Sequence, residues 1–172
     1  KLIYNDVRKF GFIKIYSSNS ITKSQHLTHL GPEPLEKNWN FSYLKKYVFR
    51  RERSIKNILM DQKCVSGLGN IYVNEILFLS GIKPVRKATK LKNFEIEKII
   101  KFSKKILKNS IKFGGSTIKD FSSENGKKGS FQQNFKVYGR EGDRCSNTDC
   151  NDRIRRIVIS KRSTFYCKSC QK

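Results

Sequence analysis

Residues 145–170 read CSNTDCNDRIRRIVISKRSTFYCKSC, and this run decides the fold of the chain's end. Its cysteines fall as Cys145-x4-Cys150, sixteen residues, then Cys167-x2-Cys170. Two close pairs separated by the length of a β-hairpin have the spacing of a four-cysteine tetrahedral zinc site. The hairpin is legible between them. Arg153 to Ile159 predicts one strand, with Ile154 and Arg155 on opposite faces; Ser160 to Ser163 predicts the turn, and Thr164-Phe165-Tyr166 the return. A module this small cannot hold itself together by apolar burial, so a structural Zn2+ would supply its folding energy. The alternative is four free or disulfide-paired cysteines. The chain has five cysteines. An odd count with no leader-like segment suits a reducing, cytoplasmic compartment, which favours the metal. The fifth, Cys64, reads as a small buried hydrophobe rather than a nucleophile.

The hairpin also carries Arg153, Arg155, Arg156, Lys161 and Arg162, with Arg162 at the turn. An arginine-tipped hairpin suits a phosphate or a DNA groove, although a solvated basic turn has the same composition. The whole chain points the same way. Its 172 residues hold 37 Lys+Arg against 14 Asp+Glu, a formal charge of +23. That balance calls for a polyanion, nucleic acid before an anionic membrane surface. No run approaches the roughly 20 apolar residues of a membrane span.

Upstream, Gly67-Leu68-Gly69-Asn70 is a tight turn between helices. The helix before it carries Ile55, Ile58 and Leu59 behind a Ser54 cap; the one after runs from Ile71 to Ser80 and ends at Gly81. Asn70 could cap this second helix or hydrogen-bond a phosphate oxygen. Phe41, Leu44 and Val48 mark a helix starting at Asn40. Asn93 is expected to cap a long helix with an apolar stripe through Ile96, Ile99, Ile100, Ile106, Leu107 and Ile111, stopped by Gly114-Gly115. Gly31-Pro32-Glu33-Pro34 is a stiff linker, and His26 and His29 belong to a solvated loop. Near the start, Leu2 to Tyr4 and Phe12 to Tyr16 predict two strands of a larger sheet, with Asp6 to Gly11 between them. Phe10 there reads as a core aromatic or as an exposed wedge. The fold class is α+β.

Several of these runs together resemble the formamidopyrimidine-DNA glycosylase family. Asp61-Gln62-Lys63-Cys64-Val65-Ser66-Gly67-Leu68-Gly69-Asn70-Ile71-Tyr72-Val73-Asn74-Glu75 is similar to its helix–two-turn–helix signature. Val137-Tyr138-Gly139-Arg140-Glu141-Gly142 and Arg162 to Gln171 are similar to its zinc finger. Asp6 to Gly11 resembles its intercalation loop and Gly31 to Leu35 its interdomain linker. Gly114-Gly115-Ser116-Thr117 resembles the 8-oxoguanine branch. Lys9, Val7 and Asp152 depart from the family's usual arginine, proline and smaller residue.

The resemblance implies three parts: residues 1–30, a remnant β-hairpin closing an N-terminal β-sandwich; 31–134, the linker and helix–two-turn–helix domain with a lesion-capping loop at Ser116 to Phe131; and 135–172, the zinc finger. It implies base-excision repair, in which oxidised purines such as 8-oxoguanine and formamidopyrimidines are removed from double-stranded damaged DNA and the abasic strand is nicked. The flipped nucleotide is attacked by an N-terminal proline amine. Lys1 is not a proline, so the chain is expected to be the C-terminal two-thirds of such a hydrolase and lyase, binding DNA without cleaving bases alone. By resemblance, Phe10 wedges into the base stack, Arg8 meets the orphaned base, and Asn70 binds phosphates with Lys56 and Arg51. Arg162 grips the lesion-side phosphate and serves the second elimination. Cys145, Cys150, Cys167 and Cys170 hold one zinc. A monomer working on the bacterial nucleoid, without a membrane partner, is expected. The competing reading is a zinc-ribbon nucleic-acid-binding module with no lesion preference.

Overall fold

A computed structural model of the chain describes residues 3, 4, 6, 9–116 and 129–172. Among the described residues, besides three short 3-10 helices, there are four α-helices and one antiparallel hairpin: α1 (Phe41–Val48), α2 (Ile55–Leu59), α3 (Asn70–Ser80), α4 (Asn93–Lys112), β1 (Ile154–Ile159) and β2 (Arg162–Cys167). This is the expected α+β class. Among the described residues, no helix is long and apolar enough to cross a membrane.

The helix starts follow local chemistry. Asn40 Oδ1 accepts the Tyr43 N–H at the head of α1, and Ser54 Oγ accepts the Asn57 N–H at the head of α2. Two expected caps are corrected. Asn70 is the first residue of α3 behind Gly69, and its side chain caps nothing. At α4 the cap is Lys92, whose N–H donates to Glu95 Oε2 at 2.7 Å. The same Glu95 carboxylate takes a two-pronged contact from Arg86, at 2.6 and 3.0 Å. Glu95 therefore satisfies the helix end that Asn93 was expected to serve.

Helix α3 is the centre of the molecule. Val73, Ile76 and Leu77 join Trp39, Leu44, Ile55, Ile58, Leu59, Ile96 and Ile99 in one buried cluster. Trp39 Nε1 donates to Ser103 Oγ at 2.8 Å, so the indole joins this core with its polar end satisfied. The other flank of α3 meets β2, where Phe78 packs with Val137, Ile154 and Phe165 in a second cluster.

Two polar residues on α3 are buried. Glu75 is 3% exposed. Its carboxylate accepts three consecutive backbone N–H groups, from Lys136, Val137 and Tyr138, at 2.8, 2.9 and 2.8 Å. Burial pushes the Glu75 carboxyl upward, against the downward pull of those three donors. The segment that enters the cysteine module is thus tied to α3 by one side chain.

The expected strands near the start are corrected. Among the described residues, 10–16 form no ladder, and Phe12, Ile13 and Ile15 are 62–94% exposed. Two isolated strands have no second layer on which to bury these side chains. His26 and His29 are exposed, as expected for a loop. Cys64 is fully buried, and burial pushes its thiol up to about 12, which leaves it unreactive.

Replacing Glu75 with Gln leaves one acceptor oxygen facing three amide donors. Glu75→Gln is expected to lower unfolding stability by about 2 kcal/mol, read from the denaturant midpoint. An unchanged midpoint would show that the three bonds contribute nothing net.

A candidate metal centre and nucleic-acid interface

The four module cysteines converge. All four Sγ atoms lie within 4.8 Å of one another. Cys145 and Cys170 sulfurs are 3.8 Å apart, and Cys150 and Cys167 sulfurs 3.7 Å. A tetrahedron with metal–sulfur bonds of about 2.3 Å has edges of about 3.8 Å, whereas a disulfide needs about 2.05 Å. The donor set therefore fits a tetrahedral metal ion. Neighbours orient it: Asn147 Nδ2 donates to Cys170 Sγ at 3.1 Å. The Asp152 carboxylate accepts from Ser169 N–H and Oγ, which fixes the Cys167–Cys170 loop. Asp152 thus supports the second cysteine pair.

The hairpin turn is tighter than expected. Ser160 and Lys161 alone form it, with φ of 48° and 61°, the left-handed pair of a type I′ turn. Arg162 is accordingly not in the turn but opens β2, paired with Ile159. It remains exposed at the hairpin tip. Four residues of β2, Thr164 to Cys167, are buried in succession: Phe165 and Cys167 pack with Phe78, Val137, Cys145 and Cys150, and Thr164 Oγ1 meets the buried Lys56.

Three expected phosphate-binding residues gather on one peptide. Asn70 Nδ2 donates to the Ser163 carbonyl at 2.9 Å. Lys56 Nζ reaches the same carbonyl at 3.4 Å and Thr164 Oγ1 at 2.6 Å. Arg162 is the adjacent residue. Lys56 and Arg162, with Arg53 and Asp61, line a cavity of about 150 Å³. Asp61 is already paired with Arg53 at 2.9 Å, which leaves the cavity positive. Burial, with Arg162 beside it, brings the Lys56 amine down to about 8. Asn70 uses one amide hydrogen on Ser163; an amide nitrogen has two.

The glycine turn stands beside this cluster. Gln62 Oε1 accepts the Gly67 N–H at 2.8 Å and Gln62 Nε2 donates to the Leu68 carbonyl at 3.1 Å. Gly67 has φ of +81°, which a side chain disfavours. The linker docks here too, through Gly31 N–H to the Gln62 carbonyl at 2.8 Å. A Cβ on Gly31 would lie 2.5 Å from the Cys64 carbonyl oxygen, so only glycine fits.

The other expected contacts lie apart. Arg51 is exposed, held by its Nε–H to the Tyr47 carbonyl and stacked 4.1 Å over the Tyr47 ring. Phe10 is 87% exposed at the tip of a loop closed by Asp6, which accepts from Gly11 N–H at 2.6 Å. Its neighbours Phe12, Ile13 and Ile15 are exposed too. Arg8 and residues 117–128 of the expected capping loop lie outside the described residues.

Asn74 and Glu75 had no assigned role in the sequence. Asn74 Oδ1 accepts the Phe165 N–H at 2.7 Å, and its Nδ2 donates to the Asn70 carbonyl at 2.6 Å. The available signal was two adjacent polar residues inside the apolar run Val73 to Phe78.

Comparison with known proteins places this geometry. Residues 30–122 match the family model described as the formamidopyrimidine-DNA glycosylase H2TH domain. A Roseobacter denitrificans protein named formamidopyrimidine-DNA glycosylase is 41% identical over 172 residues, all of this chain and 61% of the relative. The chain thus spans about three-fifths of that relative's length. The solved complex of Lactococcus lactis Fpg with DNA containing an abasic site superposes with a TM-score of 0.88 at 33% identity. It covers 97% of this chain and 60% of that one. The Lactococcus lactis T221P variant with DNA containing Fapy-dG gives the same values.

Metal removal is the direct test of the cysteine cluster. One divalent ion per chain is expected, and its chelation should unfold the hairpin and expose the Phe165 amide to solvent exchange. A hairpin with unaltered amide protection in excess chelator would contradict a metal-held module.

Proposed function

The chain belongs to the formamidopyrimidine-DNA glycosylase family, and from that premise we propose that its residues form the damaged-DNA clamp of a base-excision repair enzyme. The observation that carries this reading is the meeting of Lys56 and Asn70 on the Ser163 carbonyl, next in sequence to the exposed Arg162. A lysine, an amide and an arginine at one point can hold a phosphate from three directions. Fixed beside a bent backbone, they read its deformation rather than its sequence.

The parts divide the work. Phe10 fills the space left by an extruded nucleotide, as an apolar wedge does. Arg8 meets the unpaired opposite base. Lys56, Asn70 and Arg51 hold flanking phosphates, and Arg162 holds the lesion-side phosphate and assists strand elimination. The ion at Cys145, Cys150, Cys167 and Cys170 is one structural Zn2+, the metal preferred by four thiolates in tetrahedral geometry. Residues 1–30 carry the wedge loop and the end of a β-sandwich, 31–134 the helix–two-turn–helix domain, and 135–172 the zinc finger. The whole protein removes oxidised purines such as 8-oxoguanine and formamidopyrimidines and nicks the abasic strand, working as a monomer on the bacterial chromosome. The names of the relatives and the DNA held in the solved complexes support this assignment.

The test is competition between a duplex holding an abasic-site analogue and the same duplex intact, at fixed salt. A clear preference for the abasic duplex is expected. Asn70→Ala and Arg162→Ala should each reduce it about tenfold, the worth of a hydrogen bond to a charged group. Equal affinity for both duplexes would favour a zinc-ribbon module that binds by charge alone.

Lys56 adds a pH signature. Its amine is charged at pH 7 and loses its proton as pH rises through about 8. Phosphate favours the charged form, so abasic-duplex affinity should fall about tenfold from pH 7 to 9, the limit for one proton taken up on binding. Ordinary lysines keep their charge over that range. Lys56→Met should bind more weakly at pH 7 and show no such fall. An equal fall in the variant would assign the titration to another group.

A further inference from the structure

Helix α4 carries a second charged surface that the clamp does not use. Lys98, Lys101, Lys105, Lys108 and Lys112 recur at intervals of three and four residues, which places them in one stripe. All five are exposed. At 1.5 Å per residue the stripe is about 21 Å long. Among the described residues none of the five is in an ion pair. The opposite side of α4, through Ile96, Ile99, Ser103, Ile106 and Ser110, is buried. Helix α3 stands between α4 and the hairpin that carries Arg162, because it packs on both.

We propose that the outer face of α4 binds the phosphate backbone of a second duplex DNA segment while the clamp holds the first. Charge complementarity selects this occupant. A duplex presents one negative charge per about 1.7 Å of axis, so a 21 Å ridge of ammonium groups, in no ion pair among the described residues, meets a continuous row of phosphates and releases their counterions. An anionic bilayer fits less well. An interfacial helix inserts a long apolar face, and here that face is buried against α3 and α1, leaving large apolar groups exposed near the ends, at Phe94, Ile111 and the capping Phe113. Lysines, with compact charges and no fork, suit sequence-independent contact. Such a face would let the protein pass between DNA segments without full release. The proposal does not depend on the lesion preference of the clamp.

The experiment uses two short duplexes about one helical turn long, one with an abasic analogue and a donor dye, the other intact with an acceptor. Energy transfer on the full chain at about 50 mM salt is expected, and the intact duplex should leave steeply as salt rises. K101E/K105E/K108E should weaken binding of the intact duplex at least tenfold and flatten its salt slope by about 2.7, from three lost contacts at about 0.9 each. Its abasic-duplex affinity should stay near that of the parent. Glu and Lys have similar helix propensity, so the helix persists. K101R/K105R/K108R should keep the second duplex. Asn70→Ala should weaken the abasic duplex and spare the intact one, which separates failure of the clamp from failure of α4. One bound duplex per chain, an unchanged second affinity in the charge-reversed variant, or capture by vesicles of anionic lipid without capture of the second duplex would each overturn the proposal.

Discussion

The side chain of Asn74 sets the geometry on which the rest depends. It is fully buried between α3 and β2, and its amide joins the Phe165 N–H on one side to the Asn70 carbonyl on the other. A hairpin of two six-residue strands buries too little apolar surface to choose its own orientation. The four cysteines close it at one end, and Asn74 holds β2 against α3 at Phe165. Lys56 and Asn70 then reach the Ser163 carbonyl, and the exposed Arg162 stands next to them. Removing the Asn74 amide would leave a buried backbone donor without a partner, so the arrangement is costly to lose.

The same helix organises everything around it. Val73, Ile76 and Leu77 bury against α4 and the Trp39 cluster, Glu75 holds the entry to the metal module, and the C-terminal residues dock where α3 ends. Gln171 Nε2 donates to the Ile82 carbonyl there at 2.8 Å while its Oε1 accepts the Cys167 N–H at 2.9 Å. Metal module and helical core are thus one structure, joined by buried polar groups that are each satisfied. That explains how a chain of net charge +23 keeps several cations close together. The charges sit on a rigid frame and await a polyanion.

The sequence revealed those features that depend on local pattern. The cysteine spacing predicted the sulfur cluster, alternation predicted β1, and periodic apolar residues predicted α1, α2 and α4. It misled where tertiary partners override local preference. Asn70 and Asn93 are good caps by type, yet Asn70 turns to the hairpin and Glu95 serves the end of α4. The Phe12 to Tyr16 run is β-rich in composition, but a strand needs a neighbour. Asn74 and Glu75 were hidden for a related reason: their partners are 91 and 61 to 63 residues away. Periodicity reports which face is buried, not which buried polar group meets which backbone.

A double-mutant cycle pairing Asn74→Ala with metal removal, read as affinity for an abasic-analogue duplex, tests this account most directly. Asn74 has no exposed surface and cannot touch DNA. If the hairpin's seat on α3 sets the clamp, Asn74→Ala alone should weaken abasic-duplex binding, and removing the metal from that variant should add little further loss. Full affinity in Asn74→Ala, or losses that simply add, would show that the hairpin and the helix grip DNA independently.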